Sequence, residues 1–393
     1  MTFTLGICAG EASGDRLGAG LMQALKSHPE LRDNIAFIGV GGPLMVAQGL
    51  EPLADYDLLS VHGFKEPLLR LPALLRLYRN LAETFSARQV DVFVGVDFNV
   101  FNFLLEAALR QRGMTTIHYV SPSVYAWRRG RTRKVARCAD ELLCLFPFEP
   151  AFYANLPLKT TFVGHPMASE INASEQAKAL ARESLLIESK ATVMAILPGS
   201  RRSEVDLLLE TGLLTAASVF QQLADDEQCF QVSIPCVTEA IRDQVAQRLA
   251  TLPNLGFPVM LHLGDARQVL TACDLALVKS GTSTLEAMLL RRPMVVFYRL
   301  GFWTYRLVRA LLKTPYVAVP NILAGRPLIP EFIQDAAQPE RMAAALLDQW
   351  RRAKQEADFY REHESLHTQL RSGDLGGGAD WGAAQRVMYW LTR

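Results

Sequence analysis

The chain has 393 residues, 50% of them hydrophobic and 21% charged, with 41 Lys and Arg against 40 Asp and Glu. That composition excludes disordered and fibrous classes, and a net charge of +1 gives no general reason for nucleic-acid binding, so any anion site must be local. The six cysteines form no CxxC pair and no paired His spacing accompanies them, which argues against structural zinc and for reduced, intracellular thiols.

The chain starts on a strand-like run, Phe3–Cys8, without the basic and apolar regions of a secretory leader. No uncharged apolar run approaches the ~18 residues that a spanning helix needs, so the expectation is a cytoplasmic protein that does not cross the bilayer. Strands rich in β-branched and aromatic residues alternate with helical periodicity: Phe3–Cys8, Ile35–Val40, Asp91–Val96, Thr115–Val120 and Glu141–Leu145. After a polar, Ala-rich joint over Gly164–Ser174 the rhythm restarts with Thr192–Leu197, Phe230–Ile234, Pro258–His262, Leu275–Val278 and Pro293–Phe297. This alternation predicts an α/β fold of two doubly wound, Rossmann-like domains with their functional loops at the carboxyl ends of the strands, facing a central cleft. The predicted boundaries are residues 1–165, 166–337 and a helical tail over 338–393 that crosses back to the first domain or pairs with a second chain.

The first strand-to-helix turn reads AGEASGD over Ala9–Asp15. Gly10 and Gly14 permit a tight turn, the following helix presents free N–H groups around Ser13, and Glu11 and Asp15 suit sugar hydroxyls; Asp15 equally suits a helix cap. Asp55 and Asp57 form a DxD, the pattern with which some sugar transferases chelate a metal, but its flanks place it in a loop away from the phosphate turns. Phe64–Phe85 sets leucines at helical spacing among Lys65, Arg70, Arg76 and Arg79, which fits either a helix packed on the sheet or one resting on anionic lipid. The strand Asp91–Val96 delivers Asp97, followed by Asn99 and Asn102; a carboxylate there serves as a general base or as a helix cap.

His118–Lys134 carries Arg128, Arg129, Arg131, Arg133 and Lys134, a basic face that is either solvated or meets a phosphorylated substrate or anionic lipid. His118 itself reads as a packed histidine. In the second half, LPGSRRSE over Leu197–Glu204 puts Ser200 and Arg201 at a helix start, joining a guanidinium to free amides. KSGTSTLEAM over Lys279–Met288 gathers Ser280, Gly281, Thr282 and Ser283 at another, which suits a diphosphate, with Glu286 a turn further on toward a ribose. Without a P-loop, these turns point to a UDP-sugar rather than to ATP hydrolysis, and no metal or cofactor is implied.

Taken in order, the blocks AGEASGD at Ala9, GVGG at Gly39, DVFVGVD ending at Asp97, HYVSPSVYAW at His118, PFE at Pro147, GHP at Gly164, LPGSR at Leu197, SGTSTLE at Ser280 and PNILAGR at Pro320 resemble the lipid-A-disaccharide synthase family over almost the full chain. The resemblance implies a metal-independent, inverting GT-B glycosyltransferase with UDP-2,3-diacylglucosamine as donor and 2,3-diacylglucosamine 1-phosphate as acceptor. It implies Asp97 as base, with Glu11 as a second catalytic group. It puts Ser200, Arg201, Ser280, Gly281, Thr282, Glu286 and Asn321 around UDP, and Gly10, Ser13, Gly14, Asp15, Asn102 and Ser121 on the acceptor side. The leucine-rich stretch then faces the membrane surface, on the inner side of the inner membrane, and a homodimer exchanging C-terminal segments is allowed.

The chain departs from the family where a second Asp usually follows within a Pro-Asp-Phe-Asn run; Asn99 and Val100 stand there instead. Tyr125 replaces a usual Trp and His62 a usual Met, both on the acceptor side. A UDP-sugar 2-epimerase shares the fold and the diphosphate turn, but would not need an apolar, basic face.

Overall fold

A computed structural model of the chain describes residues 2–59, 66–124, 130–223, 229–264, 266–301, 305–306 and 314–393. The chain divides into two compact units, Met1–Ser169 with Thr368–Arg393, and Glu170–His367. The region expected as one helical tail is therefore shared between them.

The first unit holds β1 (Phe3–Ala9), β2 (Ile35–Val40), β3 (Leu50–Pro52), β4 (Val92–Val96), β5 (Thr115–Tyr119), β6 (Glu141–Cys144) and β7 (Lys159–Phe162) in the parallel order β3-β2-β1-β4-β5-β6-β7. Its helices include α1 (Ala12–Ser27), α2 (Pro43–Ala47), α3 (Glu66–Ala87), α4 (Asn99–Gln111), α5 (Arg131–Cys138) and α6 (Pro166–Glu170), the last ending at the boundary. Both faces of the sheet are covered, so its strands read as nearly continuous apolar runs rather than alternating ones; all five residues of β4 are buried. On one face α3 and α4 pack through Leu77, Leu81, Phe85, Phe101, Leu105 and Leu109. From Leu74 onward the leucine stripe of α3 thus turns to the core while Arg76 and Arg79 stay exposed; residues 60–65 lie outside the described residues, and with them His62 and Phe64.

The second unit repeats the plan with α7 (Glu175–Ser184), β8 (Thr192–Leu197), α8 (Arg202–Leu223), β9 (Phe230–Cys236), α9 (Glu239–Ala250), β10 (Val259–Leu263), α10 (Ala266–Ala272), β11 (Leu275–Lys279), α11 (Thr282–Leu289), β12 (Met294–Tyr298), α12 (Val319–Ala324), β13 (Glu331–Ile333), α13 (Pro339–Gln355) and most of α14 (Ala357–Ser372). The order is β10-β9-β8-β11-β12-β13, again parallel. Leu208, Leu209 and Leu213 of α8 and Met342, Leu346 and Leu347 of α13 pack with the apolar side chains of β8, β9 and β11.

The chain then returns to the first unit, where α15 (Ala379–Leu391) buries Ala383, Ala384, Val387 and Leu391 with the side chains of β1 and α1. Arg386 Nε and Nη2 donate to the buried Glu141 carboxylate at 2.7 and 2.9 Å, and Trp390 Nε1 adds a third bond at 2.6 Å. A carboxylate buried in this way is tolerable only because a bidentate arginine and an indole meet it.

In each sheet the strand order reverses once, between β1 and β4 and between β8 and β11. The loops leaving those strand ends diverge at such a switch point and leave a crevice where open α/β sheets bind ligands. The motifs singled out in the sequence occupy all four loops.

Candidate active site

In the first unit, β4 ends in an unusual turn. Asp97 and Phe98 both take left-handed backbone angles, φ 48° and 43°, which cost a non-glycine residue of order 1 kcal/mol or more each and persist only where the surroundings impose them. Asn102 imposes them from below: fully buried, its Nδ2 donates to the carbonyl oxygens of Cys8 at 3.2 Å, Val96 at 3.2 Å and Asp97 at 2.9 Å. Gly10 imposes them from the side, since a Cβ there would lie 2.5 Å from the Phe98 ring. The turn aims a half-buried carboxylate, which accepts from Asn99 Nδ2 at 3.1 Å. Burial pushes the Asp97 carboxyl above its ordinary value, and the nearby His118 and the Phe98 amide pull it back only in part.

The neighbouring loop divides by role. Glu11 and Ser13 are exposed at the start of α1, whereas Gly14 and Asp15 are buried. Asp15 accepts the Leu44 and Met45 amides, both at 3.0 Å, and so satisfies the start of α2. Asn102 and Ser121, expected among the acceptor contacts, likewise turn inward: Ser121 Oγ is buried 2.9 Å from Tyr153 Oη. Tyr125, Arg128 and Arg129 lie outside the described residues, while Arg133 and Lys134 are exposed on α5. The Asp55 and Asp57 pair closes on itself, the Asp55 carboxylate accepting the Asp57 amide at 2.9 Å.

In the second unit, a cavity of about 280 Å³ opens between the strand ends and is lined by Gly199, Ser200, Lys279, Ser280, Gly281 and Thr282, among others. The starts of α8 and α11 supply it with helix-terminal amides and positive dipole ends. Glu204 ties the two loops together, accepting the Ser200 amide at 3.1 Å and Lys279 Nζ at 3.0 Å. Gly199 makes this possible, because at its φ of 123° a Cβ would lie 2.3 Å from Glu204 Oε2. Burial pushes the Glu204 carboxyl up, but Lys279 and the backbone amides of Arg201 and Ser200 outweigh it and leave it lowered.

Arg201, beside the cavity, has a side chain that is 79% exposed and only loosely paired, 3.4 Å from Glu204. Ser280 donates to the Val317 carbonyl at 2.9 Å, anchoring the loop before α12. Glu286 is paired with Arg267 at 3.3 Å. Asn321, expected around UDP, is buried and fully engaged: its Nδ2 donates to the Ile329 carbonyl and to Glu331, and its Oδ1 accepts the Ile329 amide, each at 2.8 Å. It shapes the loop through these bonds. Lys279 was legible as the residue just before the serine-rich turn, yet nothing in the spacing showed that it would reach back to Glu204.

Two parallel α/β units, each with its loops gathered at the switch point of its own sheet, have the fold of the GT-B class of glycosyltransferase. Solved structures with this fold include a calicheamicin glycosyltransferase (TM-score 0.58, 13% identity, covering 100% of this chain and 99% of that one). They also include a UDP-GlcNAc 2-epimerase from Neisseria meningitidis (TM-score 0.59, 12% identity, 100% of both chains). Residues 5–374 match the family model described as lipid-A-disaccharide synthetase. The lipid-A-disaccharide synthase of Sodalis glossinidius is 44% identical over 395 residues, covering 99% of this chain and 98% of that protein. The chain belongs to the lipid-A-disaccharide synthase family and is an enzyme of lipid A disaccharide synthesis.

Proposed function

We propose that the enzyme transfers a 2,3-diacylglucosaminyl unit from UDP to 2,3-diacylglucosamine 1-phosphate in one inverting displacement, without a metal ion. The observation that carries this reading is the Asp97 turn, where strained backbone and partial burial hold one carboxylate at a switch point. An inverting displacement needs a base for the attacking hydroxyl and charge stabilisation for the departing diphosphate. Asp97 suits the first role. The Ser200 and Ser280–Thr282 amides, Lys279 and the exposed Arg201 suit the second, and their positive character takes the place of a chelated cation.

An acylated acceptor also needs apolar surface. Leu44 and Val46 on α2, and Val100 and Leu104 on the helix that follows Asp97, are exposed aliphatic side chains of the first unit. They support contact with acyl chains at a membrane surface, and no helix among the described residues is long and apolar enough to cross a membrane.

Incubating the enzyme with both substrates in EDTA should give disaccharide 1-phosphate and UDP by mass spectrometry, with a β anomeric linkage by proton NMR. Turnover that disappears on chelation and returns with Mg²⁺ would overturn the metal-free mechanism. A free epimerised sugar with no disaccharide would point instead to the epimerase chemistry of the same fold.

A further inference from the structure

Beneath the Asp97 turn lie two more polar side chains that the proposed chemistry does not use. Glu106 stands one helical turn after Asn102 on α4, His118 lies on β5, and both are fully buried. His118 Nδ1 is 2.6 Å from Glu106 Oε1, the length of a charge-assisted hydrogen bond. In the sheet register His118 is the neighbour of Gly95, two residues before Asp97. A Cβ on Gly95 would come within 2.1 Å of Glu106 Oε1 and 3.0 Å of the Asn102 Cβ, so the carboxylate occupies the space a side chain would take.

A glycine inside a central strand weakens it, and a buried ion pair seldom repays its desolvation. Among the described residues Glu106 Oε2 and His118 Nε2 have no hydrogen-bond partner, which makes the arrangement poorer still as a source of stability. A cluster so built calls for a role other than packing. The titratable and charged groups on the surrounding elements are Cys8 on β1, Glu106 and Arg110 on α4, Tyr119 beside His118 on β5, Lys134, Arg137 and Cys138 on α5, and the exposed Glu11 on the ligand loop. Burial pushes the Cys8 thiol and the Tyr119 phenol upward, so both are uncharged near neutral pH. Of the cations, His118 is the one that acts on the Asp97 carboxyl.

We propose that His118 is a positioning residue for Asp97: clamped by Glu106 in the space that Gly95 leaves, it presents the positive charge that holds the carboxylate ready as a base. The inference rests on the reading of Asp97 as the base. Its electrostatic support is that His118 opposes the upward push of burial on the Asp97 carboxyl. Without that charge the Asp97 carboxyl rises further, and the fraction of enzyme with an ionised base falls at any pH below the new value.

His118→Asn keeps an N–H near the Nδ1 position for Glu106 and removes the charge. The acid limb of the kcat/KM profile reports the base of the free enzyme, so it should move to higher pH, with rates on that limb falling about tenfold for each pH unit it moves. Activity should recover toward wild type on the alkaline side, and UDP affinity should not change. Gly95→Ala, which alters no titratable group but displaces Glu106, should move the limb the same way. Nitrogen NMR of the wild-type imidazole reads the charge on His118 directly and needs no variant to fold; a doubly protonated ring supports the proposal. A neutral His118, an unmoved limb, or an equal loss at every pH would overturn the proposal. Asp97→Asn separates the two levels: if it retains activity the base reading itself has failed, whereas an inactive Asp97→Asn with an unmoved limb in His118→Asn refutes only the role of His118.

Discussion

On the proposed mechanism, the two switch points solve different chemical problems with opposite materials. In the first unit the Asp97 carboxylate is half-buried on a strained turn, wired by Asn102 and crowded by Gly10. In the second the ligand side is open, Arg201 reaches into solvent, and the donors are chiefly backbone amides at two helix starts. A base must be held in one orientation with its charge controlled, which takes burial and strain. A diphosphate has many acceptor oxygens and tolerates many separate donors, so an exposed rim suffices. Substitutions in the first unit should therefore act on turnover and those in the second on nucleotide binding.

The sharpest break in that comparison is Asp97→Asn, which keeps the side-chain shape and the Asn99 contact but removes basicity. Turnover should fall by roughly 10²- to 10⁴-fold, measured as disaccharide formed per enzyme at saturating substrates. Arg201→Ala comes next. A charge-assisted bond to a phosphate oxygen contributes about 1.5–3 kcal/mol, so UDP affinity by calorimetry should weaken roughly ten- to hundredfold. Its melting temperature should stay near that of wild type, because the side chain is mostly in solvent.

Glu149 provides a control, read in stability rather than activity, for what burial does when no cation answers it. Its carboxylate accepts the Leu145 and Phe146 amides, both at 3.0 Å. Burial still dominates those bonds and pushes it from 4.5 to about 8. A carboxyl raised on folding adds stability that is complete below its ordinary value and is lost as pH rises through the folded one. Glu149→Gln should remove that loss, so the stability gap between variant and wild type should change from pH 5 to pH 8, in the variant's favour, by on the order of 1 kcal/mol per pH unit, followed by urea unfolding. A gap that stays constant with pH would mean that Glu149 is ionised throughout.

The central strands were legible because they are buried on both faces and therefore apolar along their length. The strands left unseen, β3, β7 and β13, are three or four residues long and sit at sheet edges, where Leu50–Pro52 and Glu331–Ile333 carry too little pattern to register. The loops of the site were visible through Gly10, Asp97, Ser200 and Ser280, each just past a recognisable strand. What sequence spacing did not show was which polar side chain turns inward. Asp15, Asn102 and Asn321 match ligand-binding types equally well, yet each meets backbone groups brought near by distant segments: the Leu44 amide, the Cys8 carbonyl and the Ile329 carbonyl. The return of α15 to the first unit depends in the same way on Glu141 meeting Arg386 across 245 residues.

Calorimetric titration of UDP into Asp97→Asn tests the division of labour most directly. Binding with the wild-type Kd, in an enzyme whose turnover has collapsed, is the expected result. A loss of UDP affinity as large as the loss of turnover would show that Asp97 serves the nucleotide or the fold, and that the base lies elsewhere.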